Sequence, residues 1–306
     1  MKRKMLAVVL AAALSVTMFA CGSSDTDTAS SDASGEAENT EVSDSGEDEG
    51  SSEEIAFESQ TVIDDDEISV VITGIETSDL WGTMSLNLEL ENKSDSVTYM
   101  VSARDVSVNG VMYDPLYADE VSPGNKAVGS VDFSTATLEE YGLDQITDIE
   151  INFYIYDSDT WEDYTDETVH VYPYGEENAS VFERTAQDTD EILIDDDYMS
   201  LIVVGYDPEG LFGYTVNAYV VNKTDAEVMF SIEEASVNGY MCDPIWADEV
   251  KAGMSAFESI YFYDSSLEEI GITDPENEIE TIEFVFTAYD NETFDTYTQQ
   301  TVTLNP

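Results

Sequence analysis

SVNGVMYDPLYADEV, residues 107–121, returns 129 residues later as SVNGYMCDPIWADEV, residues 236–250, with 11 of the 15 positions identical. A match of that length does not arise by chance, so the chain carries an internal duplication. Working outward, Ile63-Asp64-Asp65-Asp66 matches Ile194-Asp195-Asp196-Asp197, and Asn92-Lys93-Ser94-Asp95 matches Asn222-Lys223-Thr224-Asp225. Downstream, Leu138-Glu139-Glu140 matches Leu267-Glu268-Glu269, and Asp157-Ser158-Asp159-Thr160-Trp161 matches Asp290-Asn291-Glu292-Thr293-Phe294. The offset drifts only between 129 and 133, which confines insertions to loops. Two repeats follow, at 56–174 and 188–306, with a linker at 175–187.

Each repeat reads as strands and turns. Met84, Leu86, Leu88 and Leu90 alternate with Ser85, Asn87 and Glu89, and Ile149, Ile151, Phe153 and Ile155 alternate with polar or half-polar residues. This is the period-2 pattern of a half-buried strand. Asn109-Gly110 and Asn238-Gly239 are hairpin signals, because a type I′ turn needs positive φ at both central residues. Pro123-Gly124 predicts a type II turn. Thr137-Leu138-Glu139-Glu140 and Ser266-Leu267-Glu268-Glu269 read as capping boxes of short helical turns that Gly142 and Gly271 end. About seven strands per repeat and no segment long enough for a crossover helix predict an all-β chain of two tandem antiparallel β-sandwiches.

Ahead of the repeats, Lys2, Arg3 and Lys4 precede an uncharged run from Met5 to Ala20, the layout of a secretory signal at 1–20 and short for a membrane span. Met18-Phe19-Ala20-Cys21-Gly22 resembles the lipobox of bacterial lipoproteins, with Met18 where Leu is usual. The resemblance implies a diacylglyceryl thioether on Cys21, a new N-terminus there, and anchoring to the outer face of the cell membrane. Residues 22–54 hold 12 acids, 9 Ser and 4 Gly with no basic or aromatic residue, so 21–55 is expected to be a disordered acidic tether.

The two repeats together resemble the tandem Ig-like domains of lipoproteins from Gram-positive anaerobes. The likeness is carried by the Asn-Lys-Ser/Thr-Asp turn, the Ser-Val-Asn-Gly hairpin with its Asp-Pro continuation, and the Ser/Thr-Leu-Glu-Glu segment. It implies an extracytoplasmic interaction or scaffolding role and no reaction. Both core cysteines of antibody-type domains are missing. With Cys21 lipidated, Cys242 has no disulfide partner and reads as a packed bystander.

Nine basic residues stand against 68 acidic ones, a net charge of −59. Such a surface repels nucleic acid and anionic headgroups, so neither is a partner. Beyond the tether, six basic residues face 56 acids, a net of −50, and the expected protein partner is cationic or binds an apolar patch. The single His, His170, lies between Val169 and Val171 and is expected to face solvent; no enzyme is predicted. Ca²⁺ suits clustered carboxylates. Three clusters recur: Asp64-Asp65-Asp66 with Asp195-Asp196-Asp197, Asp114/Asp119/Glu120 with Asp243/Asp248/Glu249, and Asp157/Asp159/Asp163 with Asp290/Glu292/Asp295. The favoured reading is that these acids serve turns and strand edges, with no metal or cofactor assigned. Trp81, Trp161 and Trp246 align with Phe212, Phe294 and Tyr117, an interchange that suits packing; Trp81 and Trp161 would form a glycan platform only if they sat on loops. The function expected is a lipid-anchored surface spacer or protein-interaction module, the alternative being capture of Ca²⁺, a cationic peptide or a glycan.

Overall fold

The computed structural model describes residues 52–78 and 80–306. The expected signal at 1–20, the expected lipid-attachment residue Cys21 and the expected tether up to residue 51 lie outside the described residues. The first repeat supplies β1 (Ser52–Ile55), β2 (Gln60–Asp64), β3 (Ile68–Ser78), β4 (Thr83–Asn92), β5 (Tyr99–Val108), β6 (Val111–Tyr113), β7 (Ala118–Val121), β8 (Lys126–Ser134), α1 (Thr135–Glu140), β9 (Ile149–Asp157) and β10 (Asp163–Val171). The second supplies β11 (Glu191–Asp195), β12 (Met199–Asp207), β13 (Gly213–Asn222), β14 (Val228–Val237), β15 (Tyr240–Met241), β16 (Ala247–Val250), β17 (Ser255–Tyr263), α2 (Asp264–Glu269), α3 (Pro275–Glu278), β18 (Ile282–Asp290) and β19 (Thr296–Leu304).

In the first repeat one sheet runs β1-β3-β4-β8 with β2 also on β3, and it faces β10-β9-β5 with β6 and β7 along the far side of β5. The second repeats this as β11-β12-β13-β17 against β19-β18-β14 with β15 and β16. Each pair of sheets closes on its own core. Ile72, Leu86, Leu88 and Phe133 meet Val101, Ile151 and Phe153 in the first, and Leu201, Val216 and Phe262 meet Phe230, Phe284 and Phe286 in the second. Fully burying such a side chain contributes about 1.5–3 kcal/mol. The chain is therefore mostly β, in antiparallel β-sandwich layers, as its alternating strands require.

The signature residues shape the hairpins. Asn109 and Gly110 take φ of 52° and 80°, Asn238 and Gly239 take 51° and 79°. The Asn side chains do more than turn the chain. Asn109 Oδ1 accepts from the backbone N–H of Thr147 and Asp148, and Asn238 Oδ1 accepts from those of Glu280 and Thr281, pinning the segment that leads into β9 or β18.

Several sequence expectations need correction. Short edge strands of two to five residues raise the count above seven per repeat, since a period-2 pattern needs length to be seen. The helical turns begin earlier than the capping-box reading: Ser134, not Thr137, caps α1, its Oγ accepting from Thr137 N–H, and α2 starts at Asp264 without a side-chain cap. Residues 52–55, read as the end of the tether, pair antiparallel with Ile75–Ser78 as β1, because the edge of β3 offers open backbone groups.

One pairing is parallel. Ser255 of β17 aligns with Val111 of β6, and Ser255 N–H donates to Gly110 O at 3.1 Å, so one nine-stranded sheet crosses from repeat to repeat. Around this bridge Met112 packs against the second core, Tyr141 stacks on Phe257 at 4.2 Å and 7°, Phe182 of the linker meets Phe257 at 6.1 Å, and Lys251 Nζ pairs with Glu150 Oε1 at 2.8 Å.

Candidate functional site

Most of the predicted acid clusters turn out to be structural. In the Asp64–Asp66 cluster, Asp65 Oδ1 accepts from Glu67 and Ile68 N–H, and Lys93 Nζ lies 2.6 Å from Asp64 Oδ1 and 2.5 Å from the Asp65 carbonyl. The second repeat copies it: Asp196 Oδ1 accepts from Tyr198 and Met199 N–H, and Lys223 Nζ reaches Asp195 Oδ1 at 2.6 Å and the Asp196 carbonyl at 2.8 Å. The ammonium of the Asn-Lys-Ser/Thr-Asp turn thus occupies the place a bound cation would take. Burial opposes ionisation at Asp65, but the Ile68 and Glu67 N–H groups and the Tyr164 hydroxyl outweigh it and hold its pKa below the usual carboxylate range. Among the described residues no group of three or more His, Cys, Asp and Glu side chains is arranged to hold a metal.

The middle clusters diverge instead of recurring. On β16, Asp248 lies beside Glu258, whose Oε2 accepts from Trp246 Nε1 at 2.9 Å. Burial, with the Asp248 carboxylate next to it, pushes Glu258 up to about 8. In the first repeat the equivalents are Tyr117, Asp119 and Gly129, and a Cβ at Gly129 would run into Asp119 Oδ2. Asp119 therefore fills the space that the Glu258 side chain takes in the second repeat. The Tyr117 hydroxyl, buried without a well-formed partner, is pushed far up by that burial and by Asp119.

His170 does face solvent, with Nδ1 2.8 Å from Asp148 Oδ1. Cys242 is buried, and burial raises its thiol pKa, which makes it unreactive. All six Lys and Arg residues among the described residues are engaged: Lys93, Lys126, Arg184, Lys223 and Lys251 in ion pairs, and Arg104 over a tyrosine ring. The remaining carboxylates leave a surface of one sign.

Of the three tryptophan pairs whose interchange suits packing, the structure places two outside. Trp161 and Phe294 are 73% and 72% exposed, and Trp81 and Phe212 are 77% and 51% exposed, while Trp246 alone among the tryptophans is buried. Trp161 sits at the tip of the β9–β10 hairpin and Phe294 at the tip of β18–β19. Both tips are built alike: Asp157 Oδ1 accepts from Asp159 and Thr160 N–H, Asp290 Oδ1 from Glu292 and Thr293 N–H, and the ring residue's N–H returns to the Asp carbonyl at 2.9 Å. Those N–H donors hold the pKa of both aspartates below the usual range.

This turn puts its last residue in the left-handed region, with φ of 62° at Trp161 and 61° at Phe294. Glycine is the relaxed choice there, and a bulky residue is an outlier that costs about 1–3 kcal/mol. Both repeats accept that cost for an exposed ring. Trp161 stacks on Tyr156 at 5.4 Å and 18°, and Phe294 stacks on Tyr289 at 6.2 Å and 26°. On the first repeat the row continues to Tyr154, 5.4 Å from Tyr156, over which Arg104 Cζ lies 3.3 Å from the ring centroid; the Tyr154 hydroxyl donates to Asp163. The row is thus a set of π faces edged by carboxylates that already holds one guanidinium, the protein's own.

A second feature is a cleft of about 630 Å³ where the repeats meet, walled by Tyr141, Phe182 and Phe257 and edged by Arg184, Asn217 and Ser259. Arg184 is held there by two 2.7 Å hydrogen bonds to Asp190.

No protein-family model matches the chain, and no curated protein does. Among solved structures the chain is similar to the YadV chaperone, at 13% identity over 72% of this chain and 92% of that one, with a TM-score of 0.23.

Proposed function

We propose that the chain is a non-enzymatic lipoprotein, anchored through Cys21 to the outer face of the cell membrane, whose two Ig-like sandwiches form an arm that holds exposed aromatic rings out to a cationic protein partner. The observation that carries this reading is the pair Trp161 and Phe294, each kept exposed in a left-handed backbone position by both repeats. Charge supports the choice of partner. Arg104 occupies one face of Tyr154 and the other cations are engaged elsewhere, so a ligand ammonium or guanidinium would meet the Trp161 and Tyr156 rings and nearby carboxylates, the combination that cation–π recognition uses.

Two measurements test it. Fatty-acid labelling should mark the wild-type chain and not Cys21→Ser, which should appear in the medium; equal labelling of both removes the anchor. An Arg/Lys-rich peptide should bind the lipid-free chain with an affinity that falls with added salt and is lost in Trp161→Ala/Phe294→Ala. Binding indifferent to both changes refutes the cationic-partner reading, and binding of neutral oligosaccharides alone replaces it with a glycan. The cleft between the repeats favours a second reading, capture of a small ligand, since clefts of that size at domain junctions suit one. A ligand that protects Phe257→Ala as well as wild type against thermal unfolding would not be bound there.

A further inference from the structure

The junction between the repeats is head-to-tail: a donor face on the first (the Asn109-Gly110 turn, β6, the end of α1) meets an acceptor face on the second (Lys251 and β17). Because the chain is a duplication, each repeat carries both faces, and only one of each is used. The unused donor is on the second repeat, where Val111, Met112 and Tyr141 become Tyr240, Met241 and Ile270. The unused acceptor is on the first, where Ser255 and Phe257 become Lys126 and Val128.

Both vacant faces look like interfaces with the partner removed. Met112 is packed at the junction, whereas its equivalent Met241 is 65% exposed and the adjoining Tyr240 is 61% exposed. Phe257 is packed between Tyr141 and Phe182, whereas Val128 is 82% exposed. The backbones agree as well. Among the described residues β15 pairs with β14 alone, and β8 pairs with β4 alone, so each is a free sheet edge there. Lys126 lies opposite Glu91 in β4 as Ser255 lies opposite Val221 in β13, and this shared register turns the Lys126 N–H toward the open edge, as it turns that of Ser255 toward Gly110.

We infer that a second copy of this chain docks its β8 edge onto the β15 edge of the first, with Lys126 N–H donating to the Gly239 carbonyl and Val128 against Met241 and Ile270, so that the internal junction is repeated between molecules. A heterologous contact of this kind extends into an open chain and does not close at a dimer. The intermolecular contact is weaker than the internal one. Ser122 stands where Lys251 ion-pairs, Val128 and Ile270 replace the stacked rings, and Lys126 is drawn onto Glu89 and Glu91. The net charge opposes association until it is screened, so assembly rises with ionic strength, the reverse of the salt dependence of cationic-partner binding.

Sedimentation equilibrium of the full chain bearing Cys21→Ser tests this. At about 0.5 M salt, where screening acts within roughly 4 Å, the weight-average mass should climb with concentration past that of a dimer. Met241→Glu and Val128→Glu should each stay monomeric with unchanged melting temperature, because both side chains are exposed. An equimolar mixture of the two should give a dimer and nothing larger, since each variant keeps one good face. A wild-type chain monomeric under all conditions, a plateau at the dimer, or variants that assemble as wild type does would each overturn the inference. None of these outcomes bears on the peptide binding at Trp161.

Discussion

Replacing Glu258 by Gln should stabilise the second sandwich above neutral pH and leave it unchanged in acid. β17 places Glu258 between the buried Ala256 and Ile260, with Trp246 donating to it and Asp248 beside it. Burial, then the neighbouring carboxylate, pushes its pKa from 4.5 up to about 8. A folded-state pKa above the unfolded one means that the stabilising contribution is complete below about pH 4.5 and is lost as pH rises through 8. Each pH unit in that window is worth about 1.4 kcal/mol, which sets a ceiling of about 3 kcal/mol at pH 7. Water reaching the half-buried carboxyl reduces this to about 1–3 kcal/mol. Gln stays neutral, accepts from Trp246 and donates to Asp248, so Glu258→Gln should melt about 4–10 °C above wild type at pH 7 to 8.5 and together with it at pH 4.5. Thermal unfolding followed by circular dichroism across that range measures the difference directly. A gap that does not change with pH, or a Gln variant that is less stable at pH 8, would refute the reasoning. Asp248→Asn should shrink the gap, because it removes the second carboxylate.

Asn222→Ala should cost about 3 kcal/mol in chemical denaturation, since its buried amide donates to the Ala226, Val250 and Lys251 carbonyls and accepts from Thr224, and these groups would be left unpaired. Trp161→Gly should leave stability unchanged or raise it by about 1 kcal/mol, because relief of the left-handed backbone offsets the lost ring stack, while peptide binding disappears. Residues 52–178 expressed alone should unfold cooperatively, their core being separate, and at a lower temperature than in the intact chain because Met112 and Tyr141 lose their cover. Millimolar Ca²⁺ should leave the melting temperature of the intact chain unmoved, the acid clusters being held by Lys93, Lys223 and backbone donors.

The fold was legible because it depends on local chemistry written twice. Leu86, Leu88 and Leu90 could only line one face of a strand, and Asn109-Gly110 could only turn. The candidate site was legible in its chemistry and not in its placement. Ring for ring interchange between Trp161 and Phe294 fits a core and an exposed platform equally well, and nothing in the residue types says that the turn residue is left-handed. The spacing could have helped. Asp157 and Asp290 each stand four residues before the ring, the geometry in which an Asp-headed turn puts its last residue at positive φ. The lysine inside each aspartate cluster was hidden for another reason: Lys93 lies 29 residues from Asp64, and only sheet pairing brings them together. The junction was illegible because Val111 and Ser255 meet through tertiary packing that no local pattern encodes.

β1 gives the N-terminal end of the described chain a mechanical character. Its four residues hold the edge of β3 by a short antiparallel ladder, and 56–59 then lead into β2 without strand pairing. Any pull on the chain upstream of Ser52 meets that ladder first, together with Ile55 and Phe57, which rest on the first core. Peeling it away frees eight residues, about 27 Å of extended chain, while β2 to β10 stay closed. Under load this short edge ladder is expected to give before the longer strand pairings of the sandwich behind it.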